Sequence, residues 1–146
     1  MTFRTLTVQD YEQYKELISS FRQTEFSVDQ FSNFVNKLGE HMQIWILEEN
    51  SRILATATIM YETKLIFNVS VTAHIEDVCV HPDFRGKGIG SQIMDKVYQE
   101  AKARGCRKVT LVTSIDTIKF YTKNDYEVRG VQLSRLITPQ DSLEDH

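Results

Sequence analysis

The chain has 146 residues, of which 41% are hydrophobic and 10% aromatic, with 17 Lys and Arg against 20 Asp and Glu for a formal net charge of −3. That is the length of one globular domain with a core large enough to hold a ligand cleft, and too short for two. The mild acidity excludes a protein that coats nucleic acid, which needs a dense basic face; the longest charge-free run, Leu65 to Ile75, is well short of the ~20 residues of a membrane span, so neither a nucleic-acid nor a membrane partner is expected.

Phe3, Thr5 and Thr7 alternate with Arg4 and Leu6 and predict a short first strand. Thr7 followed by Asp10 resembles a capping box and opens a helix with Tyr11, Tyr14, Leu17 and Ile18 on one stripe. Ser27 followed by Gln30 repeats the pattern before a second helix carrying Phe31, Phe34 and Val35. Both stripes read as core faces. Gln43–Glu48 and Arg52–Tyr61 flank the turn-like Glu49-Asn50-Ser51 and predict a hairpin. A further β-rich run covers Val69 to Val80 and is stopped by His81-Pro82. Ile89, Ile93, Val97 and Ala101 then mark a helix ending near Gly105. Lys108–Thr113 reads as a strand, Asp116–Lys123 as a short helix and Tyr126–Leu136 as a last strand. The domain runs over 1–137, and 138–146 form a polar, frayed tail. The order βααβββαβαβ predicts an α/β (α+β) single domain with a mixed sheet flanked by helices.

Between the third β-rich run and the long helix lies Arg85-Gly86-Lys87-Gly88-Ile89-Gly90-Ser91. Glycines at alternate positions allow conformations that a Cβ forbids and let the backbone approach a ligand. Free N–H groups at a helix N-terminus, with the helix dipole behind them, bind anions, and Arg85 and Lys87 add charge. A pyrophosphate is the natural occupant. The spacing is not that of a P-loop, which needs Lys followed by Ser or Thr, nor of a dinucleotide fingerprint, whose third glycine comes one residue later. Cys79 and Cys106 make no disulfide framework, and His41, His74, His81 and His146 are scattered, so no metal site is expected. The N-terminus carries no apolar leader, which points to the cytoplasm.

The run His74-Ile75-Glu76-Asp77-Val78, the glycine loop, and Phe120-Tyr121-x-Lys123 with Tyr126 resemble the GNAT superfamily of acetyl-CoA-dependent N-acetyltransferases. Ile53 to Thr58, Lys64-Leu65-Ile66 and Asn68 extend the likeness to its glucosamine-6-phosphate N-acetyltransferase branch. The resemblance implies a GNAT-type, mostly antiparallel sheet that opens between its fourth and fifth strands. Backbone groups of Val78, Cys79 and Val80 would lie along pantetheine there, and Arg85, Gly86, Lys87, Gly88, Ile89, Gly90 and Ser91 would hold the pyrophosphate. Thr117, Phe120 and Lys123 would complete the acetyl-CoA site. An amine would attack the thioester directly, so Cys79 would be a small buried hydrophobe and not a nucleophile. Tyr121 would be the acid that protonates the leaving thiolate, and Glu76 would position the amine or a water. A homodimer is implied, with Tyr126–Leu136 at its interface.

The chain departs from the branch at Val112, where an acidic residue is usual, at Thr117 for Asn, at Phe67 for His and at Asp125 for Gly. Glu25, in the connection between the first two helices, is a substitute carboxylate. With Asp29, Glu62, Glu76 and Asp77 it would make the acceptor side acidic and suited to a polyamine-like cationic amine. Lys64, Asn68, Arg129 and Arg135 are instead available to a phosphorylated amino sugar such as glucosamine 6-phosphate. Acetylation of protein lysines or N-termini, and a CoA-binding module without catalysis, are the alternatives.

Overall fold

The structure, a computed structural model, describes residues 1–138, so all of the expected tail beyond Thr138 lies outside the described residues. The chain divides into two compact units, Met1–Leu111 and a second from Val112 onward, each described by itself.

The first unit holds β1 (Thr2–Thr5), α1 (Tyr11–Phe21), α2 (Val28–Asn36), β2 (Met42–Glu49), β3 (Arg52–Lys64), a four-residue helical turn α3 (Ile66–Val69), β4 (Ser70–Val80), α4 (Ile89–Ala103) and β5 (Lys108–Leu111). The sheet order is β1-β2-β3-β4-β5. The first four strands pair antiparallel and β5 joins β4 in parallel, which makes the sheet mixed and mostly antiparallel. The turn α3 contains left-handed Phe67, Asn68 and Val69, which reverse the chain within four residues.

Strand alternation puts helices on both faces. Tyr61 of β3 meets the Arg104 guanidinium, just past α4, at 4.2 Å from its ring centre. Ala57 and Ile59 share that face and are fully buried. On the other face Ile44 and Ile46 cluster with Leu17 and Tyr14 of α1 and Phe31 of α2. Both predicted capping boxes form. Thr7 N donates to Asp10 Oδ2 at 2.8 Å; Ser27 N donates to Gln30 Oε1 at 2.8 Å while Gln30 N donates to Ser27 Oγ at 3.1 Å. Asp10 also accepts two hydrogen bonds of 2.9 Å from Arg4, whose guanidinium reaches Glu48 at 2.8 Å. One buried carboxylate therefore ties β1, the start of α1 and β2 together.

The second unit holds a helical turn at Ile115–Thr117 and α5 (Ile118–Lys123). The predicted last strand, Tyr126–Leu136, does not form: these residues carry no strand pairing. Alternation of Val131 and Leu133 is β-like, but a strand exists only by hydrogen bonding to a neighbour. Both side chains are exposed, at 88% and 90%. The strand predicted over Lys108–Thr113 stops at Leu111. Among the described residues no helix is long and apolar enough to cross a membrane.

Burial pushes the Asp10 carboxyl upward, but the Arg4 and Thr7 hydrogen bonds outweigh it and hold the group below the usual aspartate range. A lowered folded value means stability that is complete above the unfolded value, near pH 4, and lost as pH falls through the folded one. Asp10→Ala is expected to cost about 2 kcal/mol in urea unfolding, and Asp10→Asn to flatten the acid limb of the stability curve. An acid limb identical to wild type would contradict the assigned role.

Candidate active site

The parallel ladder between β4 and β5 runs from Thr72–Lys108 to Ile75–Leu111 and stops, while β4 continues to Val80. From Glu76 onward β4 keeps its β3 neighbour but has no β5 partner. On the β3 side the register steps from Thr56–Cys79 to Thr58–Glu76, so Asp77 and Val78 together oppose Ala57. Asp77 takes the left-handed φ of 51° that this bulge requires, a conformation aspartate tolerates better than most residues. His81 N donates to Leu54 O at 2.8 Å. By alternation the Cys79 peptide groups face β3 and those of Val80 face the open edge. There Arg85 Nε meets Val80 O at 3.1 Å, leaving that carbonyl a second lone pair. The Cys79 side chain points to the α1 face: it is buried, its thiol is pushed up by burial, and it donates to Leu17 O at 3.4 Å.

The glycine loop continues from this edge. Gly86 and Gly88 have φ of 77° and 80°, and a Cβ on either would meet nothing within 4 Å. Backbone conformation, not crowding, therefore demands glycine, and the space above the turn is open. Gly88 caps α4, and the first intrahelical bond here is Gln92 N to Gly88 O at 3.1 Å. The amides of Ile89, Gly90 and Ser91 thus have no acceptor inside the helix. Arg85 and Lys87 are exposed beside them.

One side chain absent from the sequence-derived site braces this loop. His81, 8% exposed, accepts Asp83 N on Nδ1 at 3.1 Å, which fixes the turn Pro82–Phe84. Its Nε2 then carries the proton and lies 3.1 Å from Glu16 Oε1 on α1. Arg52 stands 3.4 Å from the same nitrogen, but two donors cannot bond, and its hydrogen bond goes to Asp83 at 3.3 Å. A histidine directly before Pro at a strand end was the available signal.

On the α1–α2 face of the sheet a cavity of about 390 Å³ opens under the α1–α2 connection. Tyr14, Phe26, Phe31 and Phe34 form much of its wall, with Met42 and Ile44 of β2. Phe26 stacks on Phe31 with centroids 5.9 Å apart. Glu25 and Asp77 line it as well, together with Thr24, Gln30 and Thr58. Glu25 is paired with Lys15 at 3.1 Å. Burial pushes the Tyr14 phenol above the ordinary tyrosine range, with the Asp77 charge adding to it. Glu76 is exposed beside Asp77 without lining the cavity. Lys64 sits six residues past Thr58 on β3, roughly 20 Å along the strand, and Asn68 lies beyond it in α3. Glu62, at that end too, bonds His74 at 3.0 Å. Asp29, in the first turn of α2, does not line the cavity.

In the second unit Tyr121 meets Phe120 edge-on at 4.9 Å and Tyr126 at 6.1 Å. Burial pushes its phenol up, so it holds its proton at neutral pH. Lys123 lies over the Phe120 ring at 6.0 Å. The Thr117 hydroxyl is engaged locally by Thr113 and Ser114. Val112, Arg129 and Arg135 also belong to this unit and are exposed. Among the described residues no cluster of His, Cys, Asp or Glu could hold a metal ion.

The pattern of the Acetyltransferase (GNAT) family matches residues 7–126. The chain belongs to that family. It is an N-acetyltransferase with acetyl-CoA as donor. It is 29% identical over 140 residues to glucosamine 6-phosphate N-acetyltransferase 1 of Dictyostelium discoideum, covering 92% of this chain and 89% of the relative. It is 32% identical over 114 residues to glucosamine 6-phosphate N-acetyltransferase of Arabidopsis thaliana, covering 77% and 76%. A crystal structure of the glucosamine-6-phosphate N-acetyltransferase from Arabidopsis thaliana superposes with a TM-score of 0.88 at 28% identity, covering 94% and 98%. The GNAT fold is equally that of a ribosomal-protein-alanine N-acetyltransferase from Brucella melitensis, 16% identical with a TM-score of 0.71, covering 91% and 100%. Fold alone does not choose the acceptor.

Removing the His81 ring deprives the Asp83 amide of its acceptor. His81→Ala is expected to speed hydrogen exchange at Asp83 and to lower stability by about 1 kcal/mol, with His81→Asn restoring most of both. Unchanged exchange in the alanine variant would refute the bracing role.

Proposed function

We propose that this chain carries the acetyl group of acetyl-CoA to the primary amine of a small molecule, by direct attack at the bulged end of β4. The single observation behind this is the meeting, on one strand, of an unpaired edge continuous with an open anion loop and of a residue, Asp77, that lines a cavity. The edge and loop suit a molecule with a pyrophosphate and an extended amide-bearing arm. The residues bidding for it are Val78 and Val80 on the edge and Arg85 to Ser91 at the helix start. The cavity, at about 390 Å³, is of a size that suits a small acceptor.

Acetyl-CoA supplies an activated acyl carbon; the amine nitrogen bonds to it, the carbon–sulfur bond breaks, and the thiolate takes up one proton while the amine gives up its own. Tyr121, a partly buried phenol that keeps its proton at neutral pH, is the proposed donor of that proton. Asp77 and Glu25 draw the ammonium in, and Glu76, exposed to solvent, receives the amine proton directly or through water. Thr117, Phe120 and Lys123 are assigned to the acetyl-CoA side by resemblance.

The relatives' names favour an amino sugar, glucosamine 6-phosphate, as acceptor, with Arg129 or Arg135 for the phosphate. The cavity lining favours a second reading, a cationic amine. We also propose a homodimer: the exposed apolar side chains Val128, Val131, Leu133 and Ile137 lie on unpaired chain that a second copy would cover. The two free thiols, Cys79 and Cys106, suit a reducing compartment such as the cytoplasm.

Thiol release from acetyl-CoA in the presence of small primary amines tests the chemistry. Turnover is expected, with Tyr121→Phe reducing kcat about 100-fold while the affinity for CoA is kept. Absence of turnover on every amine, or an unimpaired Tyr121→Phe, would overturn the assignment. Sedimentation at micromolar concentration is expected to give the dimer mass, and a monomer would remove that part of the reading.

A further inference from the structure

The cavity beside Asp77 has a composition that discriminates among amines. Its walls are aromatic and aliphatic, with Tyr14, Phe26, Phe31 and Phe34 presenting rings. Its polar liners are hydroxyls, one amide and the carboxylates of Glu25 and Asp77; none of the described lining residues is Lys, Arg or His. Lys15, which does not line it, is held by Glu25 at 3.1 Å and by the Tyr11 hydroxyl at 3.4 Å. Asp77 has no ion-pair partner among the described residues, and the bulge turns it to the cavity while β4 carries on beneath.

Two opposed demands decide what fits. A phosphate dianion here would sit beside the exposed carboxylates of Glu25 and Asp77 with no Lys, Arg or His among the described lining residues, so charge repulsion opposes it. A primary ammonium gains a carboxylate at the mouth and aromatic faces behind it. An apolar body on that amine gains the burial that the walls offer, and the volume is that of a small-ligand pocket. A sugar ring would set part of its hydroxyl-bearing surface against the phenylalanine rings.

Resting on the acetyl-transfer reading above, we propose that the acceptor is an unphosphorylated primary amine on an apolar body, an arylalkyl- or alkylamine, and that Asp77 is the residue that selects it. The ammonium docks at Asp77 with its body between α1 and α2. The nitrogen must shed a proton before attack, and the charged form found at neutral pH is the one the carboxylate collects. Glu25, already neutralised by Lys15, contributes less than Asp77.

The test compares phenethylamine, hexylamine, glucosamine, glucosamine 6-phosphate and spermidine at saturating acetyl-CoA, and measures ligand-induced melting shifts for the same five. Phenethylamine and hexylamine are expected to exceed glucosamine 6-phosphate in kcat/KM by about tenfold or more and to raise Tm where the sugars do not. Asp77→Asn, which keeps a side chain tolerant of the left-handed backbone, is expected to raise KM for phenethylamine about tenfold and leave KM for acetyl-CoA alone. Preference for glucosamine 6-phosphate, or for spermidine, would overturn this inference while leaving acetyl transfer intact. If no amine turns over, acetyl transfer itself fails, and the melting shift still decides the cavity: none with phenethylamine overturns the proposal.

Discussion

Hydrogen-bond pairing ends between β4 and β5 at Ile75 and Leu111, and most of the molecule's chemistry follows from that interruption. Backbone N–H and C=O groups must be satisfied by something. Along Glu76–Val80 one edge of a central strand is left to solvent, to Arg85, or to an extended ligand. The same stretch holds the bulge at Asp77 and Val78, which changes the register against β3 and turns a carboxylate to the opposite face. One irregular strand end thus presents both an unpaired backbone edge and, through its bulged Asp77, a carboxylate to a side-chain-lined cavity.

The two sides differ in how they attract. At the glycine loop the attraction is electrostatic and carried by backbone amides, with Arg85 and Lys87 adding unit charges. Left-handed Gly86 and Gly88 keep side chains out of the way. In the cavity the larger contribution is burial of apolar surface, at about 25 cal/mol per Å², and a carboxylate serves to orient. His81 links the sides mechanically: it fixes the turn that leads into the loop and bonds Glu16 on the helix that roofs the cavity. The net charge of −3 says little about any of this; what matters is that cations stand at the loop and carboxylates at the cavity.

Much of this was legible in the sequence, and the failures have physical causes. Capping boxes are local, so sequence located the start of α2 at Ser27 and, at Thr7, the turn Val8–Asp10 that leads into α1. Gly86 and Gly88 are legible because only glycine takes those conformations cheaply. The last strand was misread because alternation around Val131 and Leu133 describes a side-chain pattern, whereas a strand needs a partner edge. The stripe with Tyr14 and Phe31 was read as core, which it is; the same residues also wall the cavity, and periodicity cannot tell a packed face from one packed on half its width. Lys64 stands roughly 20 Å along β3 from Thr58 and Asn68 lies beyond it in α3, a separation that spacing in sequence does not reveal. His81-Pro82 at a strand end is the one sequence signal of the brace, and it gains meaning only with Glu16 and Asp83 beside the ring.

The account rests on the open β4 edge and glycine loop being where acetyl-CoA binds, with the acceptor cavity across the strand. A crystal structure of the chain with CoA tests that most directly. The pyrophosphate is expected on the amides of residues 86–91 and the pantetheine arm along Val78–Val80, with the thiol end at the Asp77 bulge. CoA bound away from the glycine loop, or with its thiol remote from Asp77, would contradict it.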